Sequence, residues 1–171
     1  QHAVAIPTLA AMFPDARFVH VVRDPRDAAA SAWFHFGEAA GRDTAQHTRW
    51  FITQAWAQAV TGATEAERSA APGRVHHLRY EDLHAEPEAT LAGMYGWLGL
   101  EADAGTVQAA LDACEFQMMS GGRPKGQEDQ GSFFRKGVVG DGARHLPEAA
   151  MQEACGAVEP LMRRFGYAAP A

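Results

Sequence analysis

With 171 residues and a mass of 18.4 kDa, the chain is long enough to bury roughly 70% of the surface its unfolded form exposes, so a packed core is within its reach. Hydrophobic residues make up 47% and charged residues 21%, a balance that excludes a disordered, collagen-like or coiled-coil chain. Fifteen Lys and Arg against 21 Asp and Glu leave a formal charge of −6, which removes the broad positive field of nonspecific nucleic-acid binders; an anionic ligand must be held by a local cluster. Cys114 and Cys155 form no disulfide framework and lie in no metal-ligand spacing. No apolar run is long enough to span a bilayer, and the start lacks the basic-then-apolar pattern of a signal peptide. A reducing, cytoplasmic setting is expected, with neither nucleic acid nor membrane as partner and no metal. The chain begins QHAVAIP, without Met, so a truncated sequence, a processed start or a domain cut from something longer is expected.

Residues 16–22 (ARFVHVV), short, rich in Val and Phe and preceded by the turn pair Pro14-Asp15, predict a buried strand that ends at Arg23. In the DPRD that follows, Asp24 suits an N-cap and Pro25 the first helical position, while Asp27 stands where a capping-box acid reaches back. A helix is expected from Pro25 to near Gly37. Over residues 43–66, Trp50, Phe51, Ala55, Trp56, Ala59 and Val60 recur at helical intervals, a broad apolar stripe that packs on the core. After the breaker APG, residues 74–83 (RVHHLRYEDL) read as a second strand. Pro87 then opens a helix carrying Leu91, Met94, Tyr95 and Leu98. This alternation favours a parallel sheet covered by helices, with ligands gathering at the C-terminal ends of the strands.

Residues 120–142 change texture. They hold seven glycines, charges of both signs and no helical period, and read as a long functional loop. The last helix, residues 147–165, contains Pro160, which should kink or interrupt it.

Positive charge meets special backbone at two places. Arg23 leaves a strand end beside a helix start, whose free N–H groups favour anions. In the long loop, Arg135-Lys136-Gly137 joins a bidentate phosphate ligand to a glycine that permits close backbone approach. Residue type alone leaves open that Arg23 is a solvated cation, Ser31 a small packing residue and Arg135-Lys136 a charged loop tip.

In FPDARFVHVVRDPRDAAASAWFHFG the chain resembles the 3′-phosphate-binding segment of sulfotransferases that use PAPS (3′-phosphoadenosine 5′-phosphosulfate). The resemblance makes Arg23 and Ser31 ligands of the 3′-phosphate. The RKGVVGD of the loop is similar to the family's second signature and implies Arg135, Lys136 and Gly137 for the same group. YEDL and CEFQMMSGG resemble the segments whose aromatics approach adenine, implying Tyr80 and Phe116. HAVAIPTL loosely resembles the family's HLP segment, which makes His2 the candidate base for an acceptor hydroxyl. The implied fold is a P-loop-NTPase-like three-layer α/β fold, incomplete at its N-terminus, with residues 1–171 as a single domain, the C-terminal portion of a sulfotransferase. The implied reaction moves a sulfuryl group from PAPS to a hydroxyl or amine of a small-molecule or carbohydrate acceptor, in a pocket partly lined by Trp33, Phe34 and Phe36.

Two features depart from the family pattern. No PxSGTT-like element, which holds the 5′-phosphosulfate, occurs in the sequence, and Gly142 stands where the family usually has Trp, a change expected to loosen the loop. The first departure predicts poor transfer by this chain alone and keeps a rival reading open: a noncatalytic module that at most binds 3′-phosphoadenosine nucleotides. A P-loop kinase is disfavoured, because no GxxxxGK[ST] is present. Of the other histidines, His20 is expected to face the core from its strand, and the rest show no partner pattern.

Overall fold

The computed structural model describes residues 2–37 and 41–168. Its centre is a pair of parallel strands, β1 (Phe18–Val22) and β2 (Val75–Arg79), in register with Phe18 opposite Val75 and Val22 opposite Arg79. A parallel pair needs a long crossover. Here it is helical: α2 (Pro25–Ala32), α3 (Thr44–Trp50) and α4 (Ala57–Arg68) lie between the strands, and π-helical turns at Trp33–Gly37 and Phe51–Trp56 continue α2 and link α3 to α4. The expected helix over residues 43–66 is thus one unbroken helical path. Its buried stripe is Ile52, Trp56, Val60 and Ala63, whereas Trp50 lies outside with the Arg42 guanidinium on its ring.

Ahead of the sheet, α1 (Ile6–Met12) buries Ile6 and Ala10 against Ala63, Ala66 and Val75. Beyond it follow α5 (Tyr80–Ala85), α6 (Pro87–Leu98), α7 (Ala104–Ala113) and α8 (Phe116–Met119). The larger core gathers Val22, Ala29, Ile52 and Trp56 with Met151, Cys155, Met162 and Phe165 of the C-terminal helices. These are α9 (Glu148–Ala157) and α10 (Glu159–Arg164), parted at Val158 just before Pro160, where the missing N–H interrupts the expected single helix.

Two local expectations are corrected. The second strand stops at Arg79, and YEDL begins a helix, because Tyr80 and the acids after it turn away from the sheet into α5. Asp27 does not cap α2. The Asp24 N–H is taken instead by Glu81 at 2.9 Å, and the Asp27 carboxylate faces the loop after α8.

Candidate functional site

The turn from β1 into α2 is fixed on every side. Val22 is buried, and the Trp56 indole N–H donates to the Arg23 carbonyl at 2.9 Å. Asp24 accepts the Arg26 amide at 2.9 Å as the N-cap of α2, with Pro25 in the first turn. From this anchored backbone the Arg23 guanidinium reaches over the Tyr80 ring, 4.4 Å from its centroid, and donates through Nη2 to the Val138 carbonyl at 3.2 Å. Its Nε is buried and has no partner among the described residues. Burial pushes the Tyr80 phenol above its ordinary pKa, against the opposing pull of Arg23, so its hydroxyl stays protonated near neutrality.

The loop of residues 120–142 forms no strand, and side chains add to its two cross-loop backbone bonds, from the Gly126 and Asp129 amides to the Lys136 and Arg135 carbonyls. Arg123 donates to the carbonyls of Gln127, Phe134 and Arg135 at 3.0, 2.6 and 3.2 Å. At its far end, Asp27 accepts the Gly140 and Gly142 amides at 2.6 and 2.7 Å across more than a hundred residues of sequence. Gly142 permits this approach, since a Cβ there would stand 2.5 Å from the Arg26 carbonyl. Far from loosening the loop, Gly142 lets it close on α2. Gly137 is equally constrained: it holds φ +67°, and a Cβ would meet the Phe116 ring at 2.4 Å.

Between these contacts lies a knot of charge. Asp141 receives Arg135 at 2.7 Å, Lys136 at 2.8 Å and His145 at 2.9 Å, and the second edge of Arg135 meets Glu128 at 2.7 Å. Burial alone would raise the Asp141 pKa, but the hydrogen bonds from Lys136, Arg135 and His145 outweigh it and hold the carboxyl well below the usual range. Phe34 backs the Arg135 guanidinium at 4.5 Å.

Turn and loop enclose one cavity of about 460 Å³. Arg23, Ser31, Tyr80, Phe116, Arg135, Lys136 and Gly137 all line it, joined by Ala28, Ala32 and His35 from the same helical face as Ser31. A partly buried arginine with an unpartnered Nε, a serine hydroxyl and two aromatic faces suit an anionic, ring-bearing ligand. A neighbouring cavity of about 500 Å³ is lined by Trp33, Phe34, Phe36, Gln130 and Gly131, and shares His35 and Phe36 with the first.

The sequence pattern described as the sulfotransferase family matches residues 1–104. The chain belongs to the sulfotransferase family. It is 31% identical over 105 residues to the omega-hydroxy-beta-dihydromenaquinone-9 sulfotransferase Stf3 of Mycobacterium bovis, an alignment covering 58% of this chain and 27% of that protein. The chain thus spans about a quarter of the length of this curated relative. Among solved structures, mouse sulfotransferase SULT7A1 complexed with PAP superposes with a TM-score of 0.68 at 20% identity, over 88% of this chain and 59% of that one. Retinol dehydratase in a complex with retinol and PAP gives 0.68 at 18% identity, over 93% and 51%. The small parallel sheet with its covering helices is therefore the P-loop-like fold of sulfotransferases.

One expected site residue of this sulfotransferase chain stands apart. His2 lines a separate cavity of about 510 Å³ with Ile6, Arg17, Phe18 and His20. Sequence reasoning missed the residues that shape the loop, namely Arg123, Glu128 and Asp141. The glycine-and-charge texture flagged the segment, and its near-balance of four bases and three acids was the available sign that its cations pair internally. His20, expected to face the core, is only half-buried, and it partners His77 across the strands, Nδ1 to Nδ1 at 2.8 Å.

Proposed function

We propose that this chain supplies the 3′-phosphate side of a PAPS site and serves sulfuryl transfer to a hydroxyl or amine acceptor. In this reading Arg23, Ser31, Arg135, Lys136 and the Gly137 amide hold the 3′-phosphate, while Tyr80 and Phe116 flank the adenine. The observation that carries it is the convergence of all seven residues on one cavity from segments far apart in sequence. PAP in the solved relatives supports the choice of nucleotide. The acceptor oxygen or nitrogen attacks sulfur, the bond from sulfur to the 5′-phosphate oxygen breaks, and a base takes the acceptor proton; His2 is our candidate for that base. The aromatic cavity formed by Trp33, Phe34 and Phe36 would take a small apolar acceptor, in keeping with the retinol of the solved relative. A single domain and a cytoplasmic setting complete the reading. With no PxSGTT-like element in these 171 residues, the chain on its own is expected to transfer poorly.

The test is nucleotide discrimination. PAP should raise the melting temperature more than ADP does, and Arg23→Ala or Arg135→Ala should erase the difference, since each removes charge-assisted bonds worth roughly 1.5–3 kcal/mol. Equal shifts from both nucleotides would refute the assignment. For His2, the measurement is turnover in a protein that carries the phosphosulfate loop; His2→Ala should lower it by roughly a hundredfold or more, and unchanged turnover dismisses His2 as the base.

A further inference from the structure

The cations that face the cavity are already matched by carboxylates. Arg23 has Asp27 at 3.8 Å, Lys136 has Asp141 at 2.8 Å, and Arg135 has both Asp141 and Glu128 at 2.7 Å. Three formal positive charges therefore stand against three negative ones. A phosphate dianion entering this cavity meets a neutral site unless one carboxylate yields.

The three carboxylates are not equally bound. Asp27 is held by two loop amides, and Asp141 by three side chains; the side chains of both are only 4% exposed. Removing either would leave several buried donors unpaired. Glu128 differs on both counts. Its side chain is 29% exposed, and among the described residues its one ion pair is with Arg135. The backbone around it is secured independently, by the Asp129 amide on the Arg135 carbonyl at 2.9 Å, the Gly126 amide on the Lys136 carbonyl at 2.9 Å, and Arg123. The Glu128 carboxylate can thus rotate into solvent without unmaking the loop, and Asp141 continues to orient Arg135 when it does.

We infer that Glu128 is a built-in competitor for the ligand anion: it occupies the edge of the Arg135 guanidinium that a 3′-phosphate would take, and binding exchanges one oxyanion for the other. This inference rests on the proposed 3′-phosphate site and adds to it a residue that sets the affinity threshold. The exchange favours a dianion that also gains Arg23 and Ser31 over a monoanion that meets Arg135 alone. It also separates Glu128 from a structural residue, since losing a structural contact weakens binding, whereas losing a competitor strengthens it.

The test is calorimetric titration of PAP and of adenosine 5′-phosphate into the full chain, as wild type, E128Q and E128D, with melting curves confirming that each is folded. The wild type should bind PAP roughly tenfold or more tightly than adenosine 5′-phosphate. E128Q should tighten PAP by roughly threefold to tenfold, the scale of a partly exposed ion pair, and change adenosine 5′-phosphate by less than about twofold. E128D keeps the charge but shortens the reach, and should gain in the same direction. If PAP affinity is unchanged or weaker in both variants while the wild type still prefers PAP, the competitor is refuted and the 3′-phosphate site stands. A gain in E128Q without one in E128D refutes direct contact, and an equal gain for both nucleotides refutes exchange with the 3′-phosphate. A wild type without preference overturns site and competitor together.

Discussion

The β1–α2 turn and the loop of residues 120–142 deliver cations to one cavity by opposite means. The turn is rigid because its backbone is satisfied locally, by a cap, a proline in the first helical turn and the Trp56 indole, so the Arg23 guanidinium leaves a fixed point. The loop forms no strand; beyond two cross-loop backbone bonds, from Gly126 and Asp129 to the Lys136 and Arg135 carbonyls, it hangs on side chains: Arg123 within it, Asp27 at its end and Asp141 beneath its cations. The difference teaches how a charged site can be both placed and adaptable. Regular structure positions one arginine, while exchangeable ion pairs position the others, and adaptability is confined to the side where side chains do the holding.

Asp27 joins the two halves, so breaking it should give the largest effect. Asp27→Ala leaves two loop amides without their acceptor and frees Arg23 from its carboxylate; the expected loss is about 2–3 kcal/mol in urea unfolding. Asp27→Asn retains one acceptor oxygen and should fall between the two. If the carboxylate ties loop to helix, limited proteolysis of the alanine variant will cut within residues 120–142 before the C-terminal helices are attacked. Proteolysis indistinguishable from wild type would show that the loop holds without it.

The same contrast decides what was legible in the sequence. The turn could be read because its determinants are neighbours: DPRD carries both cap and proline, and the Val-rich run ahead of it is a strand by composition. The strand expected to run through YEDL failed because alternation over a few residues does not separate a strand from the start of a helix, and Tyr80 leaves the sheet at β2's end. The loop's cations were visible as residue types, but their partners were not. Asp27 looked like a local cap, and nothing in its neighbourhood in the chain marks the two amides it serves. Long-range pairing of this kind is set by tertiary approach, here by Gly142 against the Arg26 carbonyl.

A smaller effect should separate the sheet from the loop by pH. Burial pushes His20 down to about 4 from an ordinary 6.5, with His77 adding to the shift; burial also lowers His77, although Glu67 opposes it. Glu67 can only accept, so neutral His77 donates to it through Nε2, at 3.2 Å, and receives the His20 Nδ1 proton on its own Nδ1. Below pH 6.5 the unfolded chain takes up protons that the folded pair refuses, so this contribution to stability is complete above 6.5 and is lost as pH falls toward 4. Asp141 behaves differently, since its depressed pKa keeps its own pairs with Arg135 and Lys136 charged throughout that window. The melting temperature should fall by about 3–6 °C across it, and His20→Leu should flatten that slope. Hydrogen exchange at the Gly126 and Asp129 amides, which bond the Lys136 and Arg135 carbonyls, should stay protected over the same range once corrected for intrinsic rate. A wild-type slope that persists in the leucine variant would place the titrating group elsewhere and remove the distinction between a sheet that titrates and a loop that does not.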